Sequence, residues 1–155
     1  MRRKVKNRKQ PQPDRIYESA QVAKFINKIM QDGKKTVAQT IVYKAFDLIK
    51  EKTKEKPLEI FELALKNVGP LTEVRSRRVG GANYQVPCEV RPERSVALAM
   101  RWILKVVRTG KGSPTYKRLA DELILASKNE GEAIKKKENT HKMAEANKAF
   151  AHFAW

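Results

Sequence analysis

The side chains best placed to do chemistry in this chain are cations. Arg94, Arg101, Lys105 and Arg108 recur along one stretch, and on a helix that advances ~100° per residue they fall within an arc of ~60°. Val96, Met100, Ile103 and Val107 fall on the opposite side, so the predicted helix has a core face and a basic face. A merely solvated face normally mixes glutamate among its lysines, yet no acid occurs between Arg94 and Leu119. Arg75, Arg77 and Arg78 form a second cluster and Lys34-Lys35 a third. Arg91 stands just before the basic helix, and Lys136-Lys137 lie farther along. Arg2, Arg3, Lys4 and Arg8 belong to a run of six cations in the first nine residues. A guanidinium presents a planar fork of donors that matches phosphate oxygens. The pattern therefore points to a multi-point ionic grip on a phosphate polyanion.

Bond-making chemistry finds less support. His141 and His152 are ~16 Å apart if they share one helix, too far to share a metal. A nuclease using His141 with nearby carboxylates is the reading from the enzyme class, and a DNA-compacting protein the alternative among binders. Gly110-Lys111-Gly112-Ser113 lacks the order of a phosphate loop, and no strand precedes it. Cys88 is the only cysteine, so neither an intramolecular disulfide nor a Cys-x-x-Cys zinc site can form; beside Pro87 it reads as a small packing residue. No catalytic residue, metal or cofactor is expected.

The overall balance agrees with the clusters. Thirty-four Lys and Arg against 17 Asp and Glu leave +17, a charge that repels itself unless something anionic neutralises it. Nucleic acid fits better than a membrane surface, because the predicted helices bury their apolar faces and no run approaches ~18 apolar residues. Pro11-Gln12-Pro13-Asp14 occupies the place where a signal peptide would carry its apolar stretch. A soluble intracellular protein is expected.

The elements that must hold these cations read as a mainly α fold, one domain over residues 1–155. Residues 1–13 are too charged to order themselves and read as a flexible basic arm. A first helix starts after Ser19 and runs to about Gln31, with Val22, Phe25, Ile26, Ile29 and Met30 inward, closed by Asp32-Gly33. Lys34-Lys35 open a second, with Val37, Ile41, Val42, Ala45, Phe46, Leu48 and Ile49 apolar. Pro57 begins a third, closed by Gly69-Pro70. Residues 72–79 and 84–90 read as strands around Gly80-Gly81-Ala82-Asn83, a hairpin spanning 72–90. Pro87 favours an edge or projecting position, and Tyr84 either stacks on a base or packs on the hairpin. A fourth helix follows Arg91-Pro92 to about Arg108, a fifth follows Ser113-Pro114, and a last one begins near Glu132 and carries Met143, Ala146, Phe150 and Phe153. The sum is about six helices with a protruding hairpin between the third and fourth.

Several segments together resemble one family. They are Asp32-Gly33-Lys34-Lys35, Ser76-Arg77-Arg78-Val79-Gly80-Gly81 with Tyr84-Gln85-Val86-Pro87, Glu89-Val90-Arg91-Pro92, Ala97-Leu98-Ala99-Met100-Arg101-Trp102, and the stretch from His141 to His152. In order and over nearly the whole chain they resemble the bacterial-type small ribosomal subunit protein seven family. The region Lys50 to Lys56 and the end at Trp155 depart from it, and Cys88 stands where another small apolar residue is common. The resemblance implies a primary binder of small-subunit (16S-type) rRNA that nucleates assembly of the subunit's head, without catalysis or cofactor. The cations named above become its rRNA contacts. It also implies that the hairpin, through Arg78, Val79, Gly80, Gly81, Ala82, Asn83 and Tyr84, lies at the subunit interface near the tRNA exit site. The last helix would approach a platform protein beside the mRNA. The implied partners are thus rRNA, neighbouring head and platform proteins, tRNA and mRNA, with no DNA and no membrane. The place is the cytoplasmic ribosome, an organellar one being left open.

The two faces of the fourth helix predict separable effects. Changing Arg94, Arg101 and Arg108 together to Gln should weaken RNA binding and leave folding intact, whereas Ile103→Ala should cost ~2–5 kcal/mol of stability. Filter binding and denaturant titration of the two variants check this.

Overall fold

Amphipathic helices and one hairpin account for most of residues 11–153, which the computed structural model describes. In chain order they are α1 (Ala20–Ile29), α2 (Lys35–Thr53), α3 (Pro57–Val68), β1 (Thr72–Val79), β2 (Ala82–Glu89), α4 (Pro92–Thr109), α5 (Thr115–Ser127) and α6 (Glu132–Ala146). A terminal 3₁₀ helix, Lys148–Phe153, follows. The fold is mainly helical with the hairpin between α3 and α4, as the sequence predicts. Its contacts form two compact units, Met1–Thr40 and Ile41–Trp155, and α2 runs through the boundary.

In the first unit α1 buries Val22, Phe25, Ile26 and Ile29, the predicted stripe. Ser19 sits at its N-cap without a side-chain cap bond. The lead-in is shaped instead by buried Asp14, whose Oδ2 accepts the N–H groups of Ile16 and Tyr17 at 3.2 and 3.3 Å, an Asx-type turn. The helix stops at Met30, and the left-handed residues Asp32 and Gly33 (φ +51° and +71°) lie in the connection to α2. Val37, predicted inward, is 54 % exposed while Ala38 is buried. One residue is ~100° of helix rotation, enough to take Val37 off the line through Ala38, Val42, Ala45 and Ile49.

In the second unit the Phe46 and Phe61 rings, 5.6 Å apart, join α2 to α3. Lys52 Nζ meets Asp121 Oδ1 at 2.6 Å, tying α2 to α5. Helix α3 packs on α4, α5 and α6, and α4 packs on α5 and α6. Fully buried Phe46, Phe61, Met100, Ile103, Leu119 and Leu123 fill this body, each contributing ~1.5–3 kcal/mol by leaving water. Asn67 fastens two helix ends: its Nδ2 donates to the Ala126 and Ser127 carbonyls at 3.0 and 2.8 Å.

The start of α6 is held from α5. Buried Glu122 accepts the Ala133 N–H through Oε1 at 3.0 Å, supplying a partner for a helix-start donor that has none within its own helix. Burial pushes the Glu122 carboxyl up, against the opposing pull of the Ala133 N–H. Helix α6 buries residues at both of its ends. Its charged first half buries Ala133 and Ile134, while Met143 is 56 % exposed because the neighbouring Ala144 takes the inward position.

Nor does the last helix continue to Phe153. Asn147 Nδ2 bonds the Met143 carbonyl at 2.8 Å, offering the backbone an alternative to the helical ladder, and the chain tightens into the 3₁₀ form. Side chains three apart eclipse in that form, which lines Phe150 up with Phe153.

Gly131 has φ +98°, and a Cβ there would stand 3.0 Å from Glu122 Oε1. Gly131→Ala should therefore cost ~1–3 kcal/mol through backbone strain and displacement of the Glu122 cap. A lowered denaturation midpoint at unchanged m-value checks it.

Candidate nucleic-acid interface

On α4 the two predicted faces are both realised. Leu98, Ala99, Met100, Ile103, Leu104 and Val107 are buried, while Arg94, Arg101, Lys105 and Arg108 are exposed. Val96, expected opposite the stripe, is half-buried. Pro92 in the first turn matches its fixed φ to the helix start, so the rigid register of the helix sets the cations along one side.

Arg94 has a second task that the helical pattern alone does not reveal. Its Nε donates to both carboxylate oxygens of Glu73, at 2.8 and 2.9 Å. Arg75 Nε donates to the same Glu73 Oε1 at 2.6 Å. Glu73 is 7 % exposed. Burial alone would raise its pKa, but the bonds and charges of Arg94 and Arg75 outweigh that and hold the carboxyl below its ordinary value. One acid thus joins β1 to α4. Arg75, Arg91 and Arg94 line a cleft of about 650 Å³ with Cys88 and Ala151. Arg75 and Arg94 share Glu73, and Glu89 also lines the cleft, so three guanidinium groups against two carboxylates leave a small positive excess for a phosphate. Sequence reasoning missed Glu73; the available signal was its spacing of two from Arg75, which puts both on one face of a strand.

The hairpin divides its arginines by strand alternation. Cross-strand pairs Glu73↔Cys88, Arg75↔Val86 and Arg77↔Tyr84 share one face, against which α6 and the 3₁₀ helix pack. On that face Val86 is wholly buried. Arg77 Nη1 donates to the Phe153 carbonyl, and Tyr84 meets Phe150 and Phe153 at 5.4 and 5.0 Å between ring centroids. Of the two roles open to Tyr84, packing is the one seen. Arg78 pairs with Asn83 on the other face and is exposed. The turn is tighter than predicted. Gly80 and Gly81 alone form the loop, with φ +57° and +90°, and Ala82 and Asn83 belong to β2, pairing with Val79 and Arg78. Positive φ at both loop residues matches the right-handed strand twist, which suits a two-residue link. From Gly80 to Asn83 the tip is exposed.

The remaining predicted cations are scattered. In the first unit Lys34 and Lys35 are exposed at the start of α2, and Arg91 is exposed before α4. Lys136 is exposed on α6, but Lys137 Nζ donates to the Asn67 carbonyl at 2.8 Å, a cation at the C-terminal end of α3 where the helix dipole favours it. Arg2, Arg3, Lys4 and Arg8 lie outside the described residues. His141, which a nuclease would use, accepts the Leu71 N–H through Nε2 at 3.1 Å. Burial first and the Lys137 charge second hold its pKa down, favouring the neutral ring that this bond requires. His152 lies not on α6 but in the 3₁₀ helix. Among the described residues no helix is long and apolar enough to cross a membrane.

The Glu73 joint revises the effect expected of the triple arginine substitution. Arg94→Gln should lower stability by ~1–3 kcal/mol at pH 7, because a buried carboxylate loses a charged partner. Glu73's folded pKa is depressed, so its contribution is present above the ordinary carboxylate range and lost as pH falls through the folded value. The deficit of the variant should therefore shrink as pH falls below the ordinary carboxylate range, whereas Arg101→Gln should be neutral throughout. Thermal unfolding from pH 7 downward distinguishes them.

Comparison with known proteins places the chain in a family. The family model described as Ribosomal protein S7p/S5e matches residues 1–148. Small ribosomal subunit protein uS7 of Thermotoga neapolitana is 58 % identical over 155 residues, covering all of both chains. The uS7 of Carboxydothermus hydrogenoformans is 60 % identical over 143 residues, 92 % of each chain, and that of Caldanaerobacter subterraneus 59 % over the same share. With a family model spanning nearly the whole sequence and full-length relatives at this identity, the chain belongs to the ribosomal protein S7p/S5e family.

Proposed function

We propose that this chain is a structural constituent of the small ribosomal subunit that binds 16S-type rRNA and starts assembly of the subunit's head. The observation that carries the reading is the α4 surface, where Arg101, Lys105 and Arg108 stand exposed while the opposite face of the same helix is buried. A helix built this way is positioned by its core contacts and turns its cations outward. The cleft of Arg75, Arg91 and Arg94 offers a second grip, and Arg78 at the hairpin tip a further one. Lys34, Lys35 and Lys136 add exposed charge.

The mechanism is neutralisation without turnover. Each cation that meets a phosphate releases condensed counterions and lets RNA helices that repel one another approach. Within this reading the tip from Arg78 to Asn83, exposed except at half-buried Val79, reaches the subunit interface near the tRNA exit site, with Tyr84 anchoring it. The C-terminal segment faces platform proteins and the mRNA. The protein acts in the ribosome of the cytoplasm. Support for these finer placements is family membership together with the tip's exposure and the base's anchorage.

A steep salt dependence should follow. With six to ten phosphate contacts, affinity for a small-subunit rRNA transcript should fall ~10³–10⁵-fold between about 50 and 200 mM salt. Filter binding across a salt series measures the slope, and a nearly flat plot would remove the ionic-clamp reading. Product-free RNA after prolonged incubation with divalent metal is the companion result, since a nuclease must turn over.

A further inference from the structure

A cleft of about 410 Å³ opens between α4 and α6, away from the Glu73 joint, lined by Trp102 and Val106 with Lys105, Lys136 and Glu132. Trp102 is half-buried, whereas both lysines are exposed. Glu132 is already compensated, since Lys135 Nζ lies 2.7 Å from its Oε1. The cleft therefore joins an aromatic and aliphatic wall to two cations from different helices. Its size lies in the range of small-molecule sites. An apolar ligand alone would not call for flanking lysines, and a bare phosphate would not call for an indole. A nucleotide needs both.

We infer that this cleft receives one unstacked nucleobase of the bound RNA, the base against Trp102 and its flanking phosphates at Lys105 and Lys136. The inference rests on the rRNA-binding reading and deepens it. Lys105 belongs both to the α4 stripe and to the rim of the cleft, so an RNA strand tracking the stripe passes the opening. Bases inside a duplex are stacked and paired, so a bulged or looped nucleotide is the form that can enter. Stacking accepts any base, because each has a π-face. The α4 helix then acts in two ways: its cations set affinity through the phosphates, and Trp102 fixes register along the RNA.

The chain contains two tryptophans, so Trp155→Phe leaves Trp102 as the single indole reporter. Titrating that protein with small-subunit rRNA transcript should quench Trp102 emission at the concentration where filter binding saturates. In the same background Trp102→Leu should weaken binding about ten-fold, a stacked base's worth, with an unchanged salt slope because no phosphate contact is lost. Trp102→Phe should recover part of that loss. Changing Lys105 and Lys136 to Gln should instead flatten the slope. Circular dichroism melts show whether Trp102→Leu is folded; if it is not, the quenching and Trp102→Phe still decide. Unaltered Trp102 emission on saturation, or wild-type affinity of folded Trp102→Leu, would overturn the base pocket while leaving RNA binding intact. Emission that responds to other small-subunit proteins and not to RNA would overturn it in favour of a protein contact. Absence of any RNA binding by the unaltered chain would bring down the functional reading and this one together.

Discussion

In a chain with two cations for every anion, the placement of each buried acid governs what the surrounding elements can do. Unpaired positive charge inside a fold is costly, and so is an unpaired carboxylate. Glu73 and Glu122 are buried in the second unit, and each ties one element to another. Glu73 draws Arg75 of β1 and Arg94 of α4 together; Glu122 reaches from α5 to the first turn of α6. Because these joints are ionic or charge-assisted bonds of 2.6–3.0 Å, they fix direction as well as proximity. An apolar joint of the same area would fix only proximity.

The consequences reach the hairpin. An isolated two-stranded ribbon is marginal in water, and this one carries few apolar residues. Its base is secured by Glu73 and by wholly buried Val86, and its middle by Tyr84 against Phe150 and Phe153. Arg77 adds a bond to the Phe153 carbonyl. The anchoring therefore ends two strand pairs short of the turn, and beyond Tyr84 the tip is mostly exposed. Exposure at the tip and anchorage at the base are thereby separated within sixteen strand residues, eight in each strand. The break of the last helix at Asn147 belongs to the same device, since a continued α-helix would not eclipse the two phenylalanines.

The cations divide on similar lines. Arg94, Arg77 and Lys137 each bond to the protein itself, while Arg101, Lys105 and Lys136 lie exposed. A basic surface of this kind is not a uniform coat of charge. Some of its members shape the scaffold, and the scaffold presents the rest. The Arg75, Arg91 and Arg94 cleft combines both roles, because Glu73 and Glu89 together offset only part of its charge.

By itself the sequence determined the elements and the sides of the helices. The period of Val22, Phe25, Ile26 and Ile29, the Pro57 and Pro92 starts and the opposed faces of α4 are local properties, set by backbone geometry and the removal of apolar groups from water. The alternation of β2 was legible for the same reason, and so was the cationic surface as a class. What only the tertiary structure decided is which charges meet. Glu73 and Arg94 are twenty-one residues apart, and Leu71 and His141 seventy, and no periodicity spans such separations. The outward turn of Val37 and Met143, the inward turn of Ala133 and the pairing of Tyr84 with Phe153 were likewise invisible. A side chain's burial depends on which neighbouring element arrives over it. Chain spacing cannot encode that arrival, because it is settled by packing of all the helices at once.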